Sequence, residues 1–164
     1  MTTFTIRPIT VQDIPFLWDM LYESIYVPEG QKSATNRDII NQPSISKYVE
    51  GWGRKGDMGY IAVNELGHSI GSITLRYFNK DNKGYGYIND ETPELGMALR
   101  SEYRGRGVGT ELLKTLLEQA KTKGIHTISL SVDPNNSAMK LYKRFGFKEI
   151  GMEGTSMTMM VKLL

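Results

Sequence analysis

Cysteine is missing from the sequence altogether. Its absence excludes disulfide bonds, metal sites built from thiolates and a cysteine nucleophile. Long hydrophobic runs are missing as well, because no stretch of about 18 apolar residues occurs that would cross a membrane as a helix. Residues 1–8 also lack the charged and apolar segments of a signal peptide. We therefore expect a soluble, cytoplasmic protein with no membrane partner.

Neither sign of charge dominates, since 20 lysines and arginines against 18 acids give a formal net charge of +2. So small a charge produces no strong field to draw the protein onto nucleic acid, and any basic site must be local. The two histidines, His68 and His126, are far apart with no ligand pattern around them, so we predict no metal site. A chain of 164 residues, 40% of them hydrophobic, is long enough for one core. We expect a single globular domain over residues 1–164.

The spacing of apolar residues predicts strands and helices in alternation. The clearest helix begins at Val108, where apolar residues form one broad stripe, and it ends at Gly124. Strands are expected over residues 4–8, 60–63, 69–78, 94–99, 127–133, 147–152 and 156–163, and helices over residues 11–26, 44–51, 108–123 and 138–145.

The densest chemical signal is the segment Arg104-Gly105-Arg106-Gly107-Val108-Gly109, between a predicted strand and a predicted helix. Glycines let the backbone approach a ligand closely, and a helix N-terminus offers unpaired N–H groups and a partial positive charge. This combination suits a pyrophosphate. The glycine spacing does not fit the dinucleotide fingerprint, and no lysine follows as in a P-loop. Taken alone, a tight glycine turn with solvated arginines remains an alternative.

Two motifs together resemble the GCN5-related N-acetyltransferase (GNAT) family. Residues 104–109 follow the family pattern R-x-x-G-x-G, and residues 135–147, NNSAMKLYKRFGF, resemble its second motif. The resemblance implies an α/β fold of the α+β kind, with a mixed, mostly antiparallel sheet of six or seven strands flanked by about four helices. It further implies that acetyl-CoA is the cosubstrate and that acetyl passes directly to a primary amine. A homodimer through the terminal strands is a further implication.

The resemblance also assigns cofactor-binding roles. The backbone of Met97, Ala98 and Leu99 would pair with the pantetheine arm like an added strand, after a bulge at Gly96. Asn135 would bond to the same arm, although a simple helix cap is an alternative reading of this residue. The pyrophosphate would be wrapped by Arg104, Gly105, Arg106, Gly107, Val108, Gly109 and Thr110.

Two side chains are the candidates for proton transfer. The resemblance makes Tyr142 the donor to the departing thiolate, since a phenol with an ordinary pKa of about 10 is protonated at neutral pH. By periodicity alone Tyr142 reads as a core aromatic. Glu94 is the first candidate for the base that deprotonates the amine, with a solvated carboxylate as its alternative. Glu65 and Glu91 are further candidates, and no base is needed if the amine has a low pKa.

Two other functions stay open at this point. One is a coenzyme A-binding module without turnover, and the other is a nucleic-acid-binding domain using Arg100, Arg104 and Arg106, against which the near-neutral charge argues. For the enzyme, acids mixed with aromatics favour a small cationic amine over a protein N-terminus. The residues that carry this expectation are Trp18, Tyr22, Tyr26, Trp52, Asp81, Asp90 and Glu91.

Overall fold

The structure is a computed structural model that describes residues 3–25 and 37–164. Its centre is a seven-stranded sheet in the order β1-β2-β3-β4-β5-β7-β6. Neighbouring strands are antiparallel except β4 and β5, which are parallel. The mixed, mostly antiparallel sheet expected from the sequence is thereby confirmed. The strands are β1 (Phe4–Pro8), β2 (Met58–Asn64), β3 (Ser69–Arg76), β4 (Glu94–Leu99), β5 (Thr127–Val132), β6 (Lys148–Glu153) and β7 (Ser156–Lys162).

The described residues form four α-helices, as the resemblance implied. Short 3-10 turns accompany them at Val11–Asp13, Arg37–Asn41 and Ser101–Tyr103. Helix α3 is the longest and buries one stripe against the sheet, with Leu112, Leu113, Leu116 and Ala120 fully buried. The helices are α1 (Ile14–Ser24), α2 (Pro43–Ser46), α3 (Val108–Thr122) and α4 (Ala138–Arg144).

The predicted helix over residues 11–26 was too long at its start. Residues 11–13 form a 3-10 turn, and α1 begins only at Ile14, followed by Pro15, which suits the first helical turn. The Asp13 carboxylate fixes this junction, because it accepts the backbone N–H of Thr10 at 2.7 Å and pairs with Arg7 at 2.8 Å. Tyr26, the last residue of the prediction, lies outside the described residues.

The predicted helix over residues 44–51 was also too long, since α2 ends at Ser46 and turns follow it. The carbonyl of Lys47 accepts Nη1 of Arg76 at 2.7 Å. Gly51 then has a φ of +70°, which directs the chain out of the helical path. This short α2 and the turns after it place Tyr48 and Val49 beside the sheet.

The most consequential feature of the sheet is the separation of β4 from β5. Their pairing covers only Glu94 with Ser129 and Leu95 with Leu130, whereas β4 pairs with β3 along its whole length. From Gly96 onward, the edge of β4 that faces β5 has no strand partner in the described part of the chain. The break in pairing predicted at Gly96 is present on the β5 side, but the predicted bulge is absent on the β3 side, where the register runs through Gly96 without a shift.

Candidate active site

A cavity of about 480 Å³ opens between the free edge of β4 and the start of α3. It gathers residues from both sequence motifs, which lie far apart in the chain. Most of the predicted cofactor-binding residues line it, namely Met97, Ala98, Leu99, Arg104, Gly105, Gly107, Gly109, Thr110 and Asn135. We call this the cofactor cavity.

Arg106 and Val108 are the two predicted cofactor-binding residues that do not line the cofactor cavity. The side chain of Val108 is fully buried in the core, where it fixes the first turn of α3. The guanidinium of Arg106 lies over the ring of Tyr103, 5.6 Å from its centroid. Arg104 is half-exposed and approaches Glu23 at 3.4 Å, so of the two arginines it is the one placed to meet a bound anion.

The loop before α3 has the backbone geometry that the glycine pattern predicted. Gly105 and Gly107 have φ values of +74° and +84°, a region that favours glycine, and Gly107 is the N-cap of α3. A Cβ on either residue would meet no atom within 4 Å, so both face open space. The first N–H groups of α3 have no helical partner and carry the positive end of the helix dipole. These features fit the pyrophosphate of coenzyme A.

The second motif brings two asparagines to the other wall of the cofactor cavity. The N-cap of α4 is Ser137, and the side chain of Asn136 accepts the N–H of Ala138, the first residue of α4, at 2.9 Å. Asn135 is therefore not the cap that was its alternative role. Asn135 is exposed and lines the cavity, while its backbone N–H binds Asp133.

A second cavity of about 320 Å³ adjoins the first and contains both candidates for proton transfer, Glu94 and Tyr142. The two cavities share wall residues from the free edge of β4, the end of α1 and the second motif, namely Ser24, Ile25, Met97, Ala98 and Asn136. The two cavities are thus contiguous, as the transfer of a group from one ligand to another requires. We call the second one the acceptor cavity.

Glu94 is a buried carboxylate, not the solvated one that the sequence left open, since only 4% of its surface is exposed. Its Oε2 accepts the hydroxyl of Tyr48 at 2.6 Å, and its Oε1 accepts the N–H of Gly86 at 3.1 Å. Burial raises the pKa of Glu94 to about 7, against the opposing effect of these hydrogen bonds. Glu65 and Glu91 are exposed and do not line the acceptor cavity.

Tyr142 is both a core aromatic and a cavity residue. Its ring packs at 5.7 Å from that of Phe147, and 5% of the residue is exposed. Burial raises the pKa of Tyr142, so its hydroxyl is protonated throughout the neutral range. This hydroxyl forms no hydrogen bond with another described residue. Its proton is therefore available to a ligand.

The residues expected to select the amine lie elsewhere. Trp18, Tyr22, Trp52, Asp81, Asp90 and Glu91 do not line the acceptor cavity, and Tyr26 is outside the described residues. Trp52 stacks on Arg76 instead, 5.4 Å from its guanidinium. The walls are formed by residues that no sequence motif marks, including Leu17, Met20, Leu21, Ile45, Tyr48, Val49 and Tyr85.

Two features are absent from the described residues. They contain no group of three or more histidine, cysteine, aspartate or glutamate side chains placed to hold a metal ion. None of their helices is long and apolar enough to cross a membrane.

The comparisons with known proteins agree on one family. Residues 18–147 match the Acetyltransferase (GNAT) family. The chain is 34% identical over 148 residues to the L-methionine sulfoximine/L-methionine sulfone acetyltransferase of Pseudomonas paraeruginosa (strain DSM 24068 / PA7), covering 90% of this chain and 81% of that protein. It is 41% identical over 90 residues to the ribosomal protein bS18 alanine N-acetyltransferase of Haemophilus influenzae, covering 43% of this chain and 62% of that protein.

A solved structure shares the fold. The PaiA N-acetyltransferase of Thermoplasma acidophilum, in complex with coenzyme A, superposes with a TM-score of 0.68 at 24% identity. The superposition covers 98% of this chain and 99% of that one.

Proposed function

We propose, from the premise that this chain belongs to the GNAT family of acetyl-CoA-dependent N-acetyltransferases, that its acceptor is a small cationic primary amine. The observation that carries the proposal is the composition of the acceptor cavity. Among the described residues its charged wall groups are two acids, Glu94 and Asp133, and no basic side chain lines it. An ammonium group is attracted to such a site, whereas a free carboxylate is repelled.

Glu94 and Tyr142 divide the proton transfers between them. Acetyl-CoA supplies the acetyl thioester when bound. Glu94 accepts one proton from the ammonium, directly or through a water, and the freed nitrogen attacks the thioester carbonyl. The C–N bond forms, the C–S bond breaks, and the hydroxyl of Tyr142 gives its proton to the departing sulfur. The second proton on nitrogen then replaces the one that Tyr142 lost.

The raised pKa values support these roles. With a pKa of about 7, Glu94 is ionised in a substantial fraction at neutral pH and still basic enough to take a proton. Burial also raises the pKa of Tyr142, which makes it a weaker acid. A thiolate beside it in the same buried site would also be destabilised, so burial weakens the donor but raises the basicity of the sulfur that takes its proton.

Similarity to the methionine sulfoximine/sulfone enzyme favours a second candidate acceptor, a free amino acid of that type. The two candidates differ in the α-carboxylate, which needs a cationic partner.

The test is thiol release from acetyl-CoA with matched acceptors that differ only in that carboxylate. Suitable pairs are cadaverine with lysine, agmatine with arginine, and methionine sulfone with its decarboxylated amine; a peptide with N-terminal alanine completes the panel. We expect the decarboxylated partner to be favoured at least about tenfold in kcat/KM, since a like charge in the cavity costs about 1.4 kcal/mol or more. Preference for the amino acids, or activity on the peptide alone, would overturn the proposal.

Two variants tie the activity to the named residues. Glu94→Gln and Tyr142→Phe should each lower kcat by about 10²-fold or more, the usual worth of a positioned proton-transfer group. Tyr60→Phe is the matched control, because Tyr60 is a half-buried tyrosine on β2 that lines neither cavity. Equal activity in Tyr142→Phe and the control would remove Tyr142 from the mechanism.

A further inference from the structure

We propose that Tyr48 is a positioning residue for the base. Its hydroxyl holds the Glu94 carboxylate ready to accept the amine proton, and it connects this carboxylate to the loop over residues 77–93. The proposal rests on the function proposed above, because it assigns a role to the partner of the base named there. Neither the sequence motifs nor the family match distinguishes Tyr48.

The neighbours of the Tyr48 hydroxyl leave only one direction for its proton. The backbone N–H of Tyr85 lies 2.6 Å from the Tyr48 oxygen, and an amide N–H can only donate. The hydroxyl proton is therefore directed at its other neighbour, Oε2 of Glu94, which is also 2.6 Å away. Tyr48 thus accepts a hydrogen bond from the loop and donates one to the base.

Both oxygens of the Glu94 carboxylate face a donor, Oε2 the Tyr48 hydroxyl and Oε1 the N–H of Gly86. The anion accepts both hydrogen bonds with full negative charge on its oxygens, whereas a protonated carboxyl is a weaker acceptor for both donors. The arrangement therefore favours the form of Glu94 that can accept a proton. It opposes burial, which favours the neutral form.

The other charged groups near Glu94 do not replace this contact. Lys47 acts on Glu94 through its charge and donates no hydrogen bond to it. Arg76 is the cross-strand partner of Glu94 on β3, but its guanidinium is bound to Asp57 at 3.1 Å. Asp133 lines the acceptor cavity and carries the same sign of charge as Glu94. Among the described side chains, only Tyr48 donates a hydrogen bond to the base.

The loop lies directly against this pair. A Cβ added at Gly84 would be 2.2 Å from Oε1 of Glu94 and 2.9 Å from the Tyr48 oxygen, so only a glycine lets the loop backbone approach these two side chains so closely. The close approach brings the N–H of Tyr85 to the hydroxyl and the N–H of Gly86 to the carboxylate. It also places the side chain of Tyr85 in the wall of the acceptor cavity. One hydroxyl therefore positions both the base and one wall of the amine site.

The test removes the hydroxyl and keeps the ring, which packs at 5.1 Å from the ring of Phe78. The pH dependence of kcat/KM is measured for the wild type, Tyr48→Phe and Glu94→Gln, with Tyr60→Phe as the matched control. In the wild type we expect kcat/KM to fall toward low pH as Glu94 becomes protonated. This acidic limb of the profile should be absent from Glu94→Gln. In Tyr48→Phe this limb should move upward by about one pH unit, the usual effect of losing a hydrogen bond to a charged group. Activity at pH 7 then falls about fivefold and recovers at high pH.

Site-specific replacement of Tyr48 by 3-fluorotyrosine should shift the acidic limb of the pH profile in the opposite direction. Its more acidic phenol is a stronger donor, so the limb should move below its wild-type position. This replacement preserves the shape of the side chain and decides the question even if Tyr48→Phe does not fold. Hydrogen exchange supplies a second readout, because the amide of Tyr85 should exchange faster in Tyr48→Phe once its acceptor is gone.

The outcomes separate this proposal from the one it rests on. Opposite shifts in the two replacements support the positioning role. A limb that Glu94→Gln abolishes, but that neither replacement at Tyr48 moves, overturns the role of Tyr48 and leaves the base in place. A wild-type profile without a limb that depends on Glu94 overturns both.

Discussion

The hydroxyl of Tyr48 lies 2.6 Å from Oε2 of Glu94, although 46 residues separate the two in the chain. This contact connects the turns after α2 to the first residue of β4, and the loop over residues 77–93 closes over it. It keeps a carboxylate with 4% exposure hydrogen-bonded at both oxygens. The site therefore maintains a charge where burial makes charge costly, and that cost should appear in the stability of the protein.

The first prediction concerns the free energy of unfolding as a function of pH. The pKa of Glu94 rises from an ordinary 4.5 to about 7 on folding, so the folded state binds a proton that the unfolded state has lost between these values. The stability contributed by this group is complete below about pH 4.5 and is lost as the pH rises through about 7. Relative to Glu94→Gln, the wild type should lose about 2.5 kcal/mol between pH 5 and pH 8.

Urea unfolding of both proteins at the two pH values measures this difference. Glu91→Gln is the control, because Glu91 is an exposed acid on the loop preceding β4 and should leave the pH dependence of the wild type unchanged. The same pH dependence in the wild type and Glu94→Gln would contradict the prediction. It would mean that Glu94 titrates alike in the folded and unfolded states.

Features carried by neighbouring residues could be predicted from the sequence. Strand β4 has the predicted bounds, and the glycines at 105 and 107 adopt positive φ before a helix, because these signals are local. The pair of Tyr48 and Glu94 could not be predicted, since Tyr48 lies in irregular turns and meets Glu94 only through tertiary packing. The expectation that Trp52 helps to select the amine failed for the same reason, because its ring stacks on the buried guanidinium of Arg76 and does not line the acceptor cavity.

The second prediction tests the proposed role of Gly107 in binding the cosubstrate. Gly107→Val should strain the backbone and place a side chain where the cofactor cavity is open, so the affinity for coenzyme A should fall at least about tenfold. Gly67→Val is a close control, because Gly67 has the same φ of +84° and equally open surroundings but lies in the β2–β3 turn. Both variants should lose about 1 kcal/mol or more of stability.

Calorimetric titration with coenzyme A distinguishes the two effects. Weaker binding in Gly107→Val alone supports a steric role for the loop at the pyrophosphate. An equal loss in Gly67→Val would show that general destabilisation, and not the cavity, accounts for the change.

The third prediction concerns the buried ion pair that supports the segment carrying Tyr48. Arg76 and Asp57 pair at 3.1 Å with side chains only 2% and 3% exposed, and Arg76 also binds the carbonyl of Lys47, next to Tyr48. Asp57→Ala leaves a desolvated guanidinium without its anion and should cost about 3–5 kcal/mol. The half-exposed pair of Lys143 and Glu149, 3.7 Å apart, provides the comparison.

Glu149→Ala should cost less than about 1 kcal/mol in the same urea titration, because solvent screens that pair. Adding Arg76→Met to Asp57→Ala should recover part of the loss, since the unpaired charge is then gone. Recovery should stay incomplete, because Asp57 also accepts the N–H groups of Gly53 and Arg54. A double variant no more stable than Asp57→Ala would show that those backbone contacts, and not the buried charge, account for the cost.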